Sequence, residues 1–187
     1  METEGDYKRS LKAAIYGLWS SKFGYDDFAS HMEAAISRGL TLAFREGFKL
    51  VGIDPDEMDQ AEMLALDNII TQELMYVQNL GDDIIFSRNQ SFKHLQGRVD
   101  SWSEKYEEVR LRARMMADLN GKYLWVLDPI CKHCDSCLSL EGKVKRGSTW
   151  DTSGVYPRSP KLKCFVGCGC KLEKTTKPLS RGSLASL

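Results

Sequence analysis

Two short runs carry all six cysteines of the chain: Cys131-Lys-His133-Cys134-Asp-Ser-Cys137 and Cys164-Phe-Val-Gly-Cys168-Gly-Cys170. The first 130 residues contain none, whereas cysteines used only as small core residues would be scattered along the whole length. Two C-x-x-C steps, a gap of 26 residues and a C-x3-C-x-C close form the spacing by which a folded segment brings four thiolates around one tetrahedral Zn²⁺. The candidate ligands are Cys134, Cys137, Cys164, Cys168 and Cys170. Cys134 and Cys137 form one knuckle, and Cys164 with either Cys168 or Cys170 closes the tetrahedron. His133 could replace one thiolate, but adjacent residues rarely both reach one metal, so His133 and Cys134 compete. Which four of Cys131, His133, Cys134, Cys137, Cys164, Cys168 and Cys170 hold the ion stays open at this level.

Disulfides in a secreted domain are the competing use of clustered cysteines. The chain opens on the acidic Met1-Glu-Thr-Glu-Gly-Asp with no apolar segment after it, so a reducing compartment and metal-bound thiolates are expected. A site with four protein ligands leaves no position for water and is structural. A catalytic zinc needs three ligands, a solvent position and a base. Glu141 is the nearby carboxylate, and it reads as a surface residue in a turn. A cysteine nucleophile paired with His133 has no further support. The phosphate-loop, H-E-x-x-H and G-x-S-x-G patterns do not occur, so no catalytic activity is expected. His31 and His94 have no partner cluster and read as ordinary helix residues.

The 187 residues suffice for one domain, or a domain with a small appendage, and 42% hydrophobic residues allow a real core. No run approaches the roughly 18 apolar residues of a membrane span, so no membrane partner is expected. The net charge of zero hides an asymmetry. Residues 1–122 carry 15 basic and 21 acidic side chains, and residues 123–187 carry 11 and 5. The basic end therefore either meets something negative, a nucleic acid or an acidic protein surface, or attracts the acidic part of its own fold.

Around the cysteines the expected architecture is mainly α: an amphipathic helical domain over 1–122, a zinc-stabilised irregular or β module over 123–172, and a flexible tail over 173–187. The first helix is predicted from Tyr7 to about Ser20 and breaks at Gly24. A second runs from Tyr25 to about Phe48 on the row Phe28, Met32, Ile36, Leu40, Phe44 and Phe48, with Asp26 or Asp27 as its cap. Asp54 and Pro55 open a third that carries Met63, Leu66, Ile70, Leu74, Val77 and Ile84, with a soft point at Gly81. A polar break at Ser87–Ser91 precedes a fourth, Phe92 to Leu119, with the seam Val99, Trp102, Tyr106, Val109, Ala113 and Met116. In the module, Trp125, Leu138, Leu140, Trp150 and Leu172 are the expected apolar packing, too little for an independent core without a metal.

The stretch from Trp125 through Cys134, Cys137 and Leu140-Glu-Gly142-Lys-Val144, continued by Trp150, Pro157 and Cys168-Gly-Cys170, resembles a known motif. It is similar to the C-terminal motif of phage minor head proteins of the Mu F-like, or head morphogenesis, family: a tryptophan, C-x2-C-x2-L-x-G, and a cysteine-rich close. The family's usual close is H-x-x-C-R-C. Here Phe165 stands at the histidine position, Gly169 at the arginine position, Cys164 one residue earlier, and Cys131 is an addition. The match covers about 45 of the 187 residues. It implies a structural protein of a phage or prophage head, acting in capsid assembly near the portal, in the virion and in the host cytoplasm during assembly. Its partners would be portal and capsid proteins, with packaged DNA a further one through the basic module. The residues alone also allow a zinc-ribbon nucleic-acid-binding or regulatory protein. On that reading Lys132, Lys143, Lys145, Arg146, Arg158, Lys161, Lys163 and Lys171 hold phosphates, and Trp150 and Tyr156 stack bases.

Overall fold

The structure, a computed structural model, describes residues 3–164 and 167–184. It is mainly helical, with a small three-stranded sheet near the C-terminal end. In chain order the elements are α1 (Glu4–Trp19), α2 (Tyr25–Lys49), α3 (Gln60–Leu74), α4 (Val77–Phe86), α5 (Gln96–Ala117), β1 (Lys122–Val126), α6 (Asp135–Leu140), β2 (Val144–Arg146), α7 (Gly147–Ser153) and β3 (Lys171–Lys174). Short 3₁₀ turns sit at Pro55–Glu57 and Phe92–Leu95.

Helix α2 is the centre of the helical part because two of its faces are buried. The whole row Phe28, Met32, Ile36, Leu40, Phe44 and Phe48 is inaccessible to solvent. Beside it runs a row of small residues, Ala35, Gly39, Ala43 and Gly47, also buried. Small residues at four-residue spacing form a groove into which another helix can settle. A Cβ on Gly39 would meet the Tyr7 ring of α1 at 2.2 Å, and one on Gly47 would meet the Arg110 carbonyl oxygen of α5 at 2.5 Å. The groove thus seats α1 and α5.

Helix α5 contributes Val99, Trp102, Tyr106, Val109 and Ala113 to this core. It also holds α3, whose Glu73 accepts from Trp102 Nε1 at 3.0 Å and pairs with Lys105 at 3.1 Å. Lys105 reaches the buried Glu108 at 2.9 Å as well. Burial raises the Glu108 carboxyl above its usual range despite the ammonium beside it, and its two carboxylate partners outweigh burial to raise Lys105.

Several local boundaries differ from the sequence reading. Gly24, not Asp26 or Asp27, caps α2, and Asp27 instead accepts the Gly24 N–H. Asp54 caps only the 3₁₀ turn, while α3 starts at a second signal, Asp59 and Glu62, which cap each other's backbone N–H groups. The predicted long third helix is two helices that break at Met75–Tyr76. Gly81 is not a soft point: it lies buried within α4, and a Cβ there would meet the Tyr25 ring at 2.6 Å. Met63 is exposed rather than core.

The sheet has the order β2-β1-β3, both pairings antiparallel, with Tyr123 opposite Lys145 and Trp125 opposite Leu172. It anchors a second apolar cluster of Tyr123, Trp125, Leu140, Trp150, Val155, Leu162 and Leu172. Met115 of α5 belongs to this cluster, so α5, which ends at Ala117 before the boundary drawn near residue 122, packs into both cores. Leu138, expected in the packing, is 52% exposed. β3 runs across the boundary drawn at 172, and the segment after it is tied down. Thr175 N donates to Lys122 O, and Ser180 exchanges hydrogen bonds with Val144 of β2.

Replacing Gly47 with leucine should destabilise the helical part by roughly 1–3 kcal/mol, because the obstructing atoms are α5 backbone and the Ala113 Cβ, which cannot rotate away. Urea denaturation followed by circular dichroism should show a lower midpoint at unchanged slope. A wild-type midpoint would mean that α2 and α5 are not packed at this point.

Candidate metal centre

Three local devices bring the cysteines together. Cys134 has extended backbone and caps α6, so one helical turn later Cys137 points inward, 1% exposed. Pairing of β3 with β1, Val126 opposite Lys171, sets Cys170 beside the loop that carries Cys131 and His133. Between them α7 ends at Gly154 in the left-handed conformation, φ 64°, and turns the chain back toward Cys164.

The five predicted ligands converge. The sulfurs of Cys134, Cys137 and Cys164 lie within 4.8 Å of one another, and so do those of Cys137, Cys168 and Cys170. Cys137 Sγ is 3.5 Å from Cys164 Sγ and 3.6 Å from Cys168 Sγ. These separations are far longer than the ~2.05 Å of a disulfide and close to the ~3.8 Å edge of a tetrahedron of sulfurs around a zinc-sized ion. All six cysteines are free. Their clustering is the donor set of a site that could hold a metal ion.

Cys131 is exposed, yet not distant. A Cβ on Gly169 would lie 2.8 Å from Cys131 Sγ and 2.9 Å from Asp128 Oδ2, so a larger residue there would displace these two side-chain ends. His133 Nδ1 stands 3.8 Å from Cys170 Sγ. Gly169 was read in the sequence at the family's arginine position, whereas Asp128 was not singled out. The C-x-C spacing signals the glycine, but nothing local signals the aspartate. Phe165, at the position of the family's histidine, falls outside the described residues.

The electrostatics of the thiols follow their surroundings. Burial opposes ionisation of Cys134, but the backbone N–H of Cys137 and the thiols of Cys164 and Cys137 outweigh it and bring Cys134 down to about 7. Burial, reinforced by the Cys134 thiol, pushes Cys164 up to about 12. Cys137 and Cys170 are raised as well, burial again leading. Without a cation Cys137, Cys164 and Cys170 hold their protons at neutral pH. A divalent ion displaces them, so metal affinity falls as pH falls.

The aromatic residues proposed for base stacking are not available on the surface. Trp150 is fully buried, donating Nε1–H to Tyr123 O at 3.1 Å, with its ring 5.7 Å from that of Trp125. Tyr156 is buried beneath the Arg112 guanidinium. Several basic side chains are also engaged: Lys145 is buried and donates to Ser180 O and Gly182 O, and Lys163 pairs with Asp135 at 2.8 Å. Arg158 lies 3.5 Å from Glu104 of α5, and Lys174 is 2.6 Å from Asp118, so part of the opposite charge of the two halves is met within the chain. A cavity of about 290 Å³ lies along this seam, bordered by Leu111, Arg114, Arg158, Cys170 and Glu173.

Replacing Cys134 and Cys137 together with serine should unfold the module and leave the helical core standing, because the two apolar clusters are separate. Trp125 and Trp150 fluorescence should shift to that of exposed indole while most helical dichroism remains. Loss of all helicity would mean that the helical core depends on the α5 face under the module.

No protein family, curated protein or solved structure was found to match this chain.

Proposed function

We propose that the chain is a structural minor head protein of a phage or prophage, acting in capsid assembly close to the portal, with zinc as the structural ion of its cysteine module. The observation that carries this reading is the ordered resemblance at Trp125, Cys134, Cys137, Leu140, Gly142, Trp150, Pro157, Cys168 and Cys170. The fold gives the tryptophans, Leu140, Gly142 and the cysteines of that motif a physical role. Trp125, Leu140 and Trp150 pack in one cluster with the sulfurs, and Gly142 takes φ 73°, which favours glycine in the turn between α6 and β2. Two departures from the family's pattern are mutually compatible, since the glycine at 169 makes the room that the additional Cys131 occupies. Zinc is the metal of choice because clustered soft thiolates in closed sites favour it over hard cations.

Docking on portal or capsid subunits falls to exposed parts of the helical region. Between Leu50 and Ser87 the chain has nine acidic side chains and no basic one. The same stretch exposes Leu64, Met75, Tyr76 and Phe86, the last at 91%. Apolar groups rimmed by one sign of charge suit a partner surface of the opposite sign. The nucleic-acid reading keeps the exposed Lys132, Lys161 and Lys171 but loses its stacking residues, and it takes second place.

Protein purified under reducing conditions should retain zinc. Elemental analysis showing no metal, with six thiols alkylated in the native fold, would remove the metal from this reading. Co-expression with the portal and capsid proteins of the same phage or prophage should yield a complex on size-exclusion chromatography. No such complex, together with sequence-selective duplex binding at physiological salt, would replace this reading by the nucleic-acid one.

A further inference from the structure

We propose that the cavity between α5 and β3 takes up an extended, acidic segment of a partner protein, which joins the outer edge of β3 as a fourth strand. The site is distinct from the acidic α3–α4 region. It does not depend on the head-protein reading, which it extends by naming the shape and charge of a partner.

β3 is an edge strand, because the sheet order is β2-β1-β3. Thr175 N donates to Lys122 O, so these two residues form a hydrogen-bonded pair. In an antiparallel ladder such pairs alternate with pairs that do not bond each other, and the register places Leu172 opposite Trp125 in the second class. Trp125 agrees, since its N–H donates to Lys143 O on the β2 side. The N–H and C=O of Leu172 therefore point away from β1, and among the described residues no strand lies there to meet them. Leu172 is only 5% exposed. Unmet backbone groups on so buried a residue are costly, and an added strand is the partner that matches both.

The cavity of about 290 Å³ lies beside this edge and borders every residue from Gly169 to Glu173. A hollow on one face of a strand would touch alternate residues, so contact with a continuous run marks the edge. That run spans about 16 Å, room for a segment of similar length. The opposite wall is one stripe of α5, Glu107, Arg110, Leu111 and Arg114, with Leu50 adding apolar surface. The main-chain groups of a helix bond within the helix, so α5 closes the slot without satisfying β3.

Charge selects the occupant. Glu107 and Glu108 already have cations, Arg110 at 2.6 Å and Lys105 at 2.9 Å. Arg158 stands 3.5 Å from Glu104. Lys171 and Glu173, both exposed, offset each other at the mouth. Arg114 is left. Its guanidinium lies 5.4 Å from the Tyr123 ring centroid, and its buried Nε has no hydrogen-bond partner. A carboxylate on the incoming strand supplies that partner.

The test uses the full chain, purified under reducing conditions, with random octapeptides displayed on yeast as the probe. Selection should enrich acidic sequences that alternate polar and apolar residues. In a synthetic copy of such a peptide, methylating every second backbone nitrogen should weaken binding about tenfold in one register and leave it nearly unchanged in the other. Arg114→Gln should lose the acidic preference and Arg114→Glu should reverse it, with tryptophan fluorescence checking that the module is folded. By hydrogen exchange the Leu172 amide should be fast in the free chain and slow with peptide bound. No enrichment on the folded chain would overturn the proposal, as would equal tolerance of methylation in both registers. An acidic preference unchanged in both variants would overturn the role of Arg114. A Leu172 amide already protected in the free chain would overturn the open edge, and elution as a dimer would then make a second copy the occupant.

Discussion

Five thiols drawn into two groups that meet at Cys137 constrain the C-terminal third of this chain. Buried thiols 3.5–3.6 Å apart are neither bonded to one another nor strongly hydrogen-bonded, so their convergence adds little stability by itself. The module has one small apolar cluster built around two tryptophans, below the size at which a core ordinarily suffices. A metal ion changes that balance, because its binding free energy becomes folding free energy. The surrounding features serve the convergence: the Cys134 cap on α6, the β1–β3 register, the left-handed Gly154, and the bare backbone at Gly169.

The module is not an independent bead on a string. Met115, on the C-terminal part of α5, packs with Trp125 and Trp150, while Val99, Tyr106 and Val109 of the same helix sit in the helical core. Arg112 adds a bridge, 3.7 Å from Asp151 of α7 and stacked over Tyr156. A helix shared by two cores fixes their relative orientation. For a protein proposed to hold head components in place, that rigidity matters. The acidic α3–α4 region and the basic module both pack on α5: Glu73 meets Lys105 and Asp83 meets Arg98, while the module reaches the helix at Glu104 and Met115.

The long helices were legible because their signal is redundant. Every member of the Phe28–Phe48 row is buried, and the Val99–Ala113 seam is buried as well. The break between α3 and α4 was not legible, since Met75 and Tyr76 are acceptable in a helix. It comes from the pull of Glu73 toward Trp102 and Lys105 while Leu80 and Ile84 pack in the main core. Gly81 was misread for a related reason: a glycine in a helix can mark weakness or close packing, and only the position of Tyr25 distinguishes them. Trp150 and Tyr156, interleaved with lysines, looked like a surface but are interior, because strand pairing folds the chain over them.

Cysteine identity and spacing by themselves determined that a thiol cluster able to hold a metal ion forms, where it lies, and which five thiols compose it, because C-x-x-C and C-x-C steps confine pairs of sulfurs to one turn whatever the rest does. Apolar periodicity likewise determined the helical class, since a buried stripe repeats with the helix itself. How the two cysteine runs meet was decided only in three dimensions. The β1–β3 register, the return of the chain after α7, and the room at Gly169 place Cys137 between two groups of sulfurs and turn His133 away from Cys134, toward Cys170. Such relations join residues more than 25 positions apart, and a pattern read along the chain holds no information about the angle at which its distant parts close.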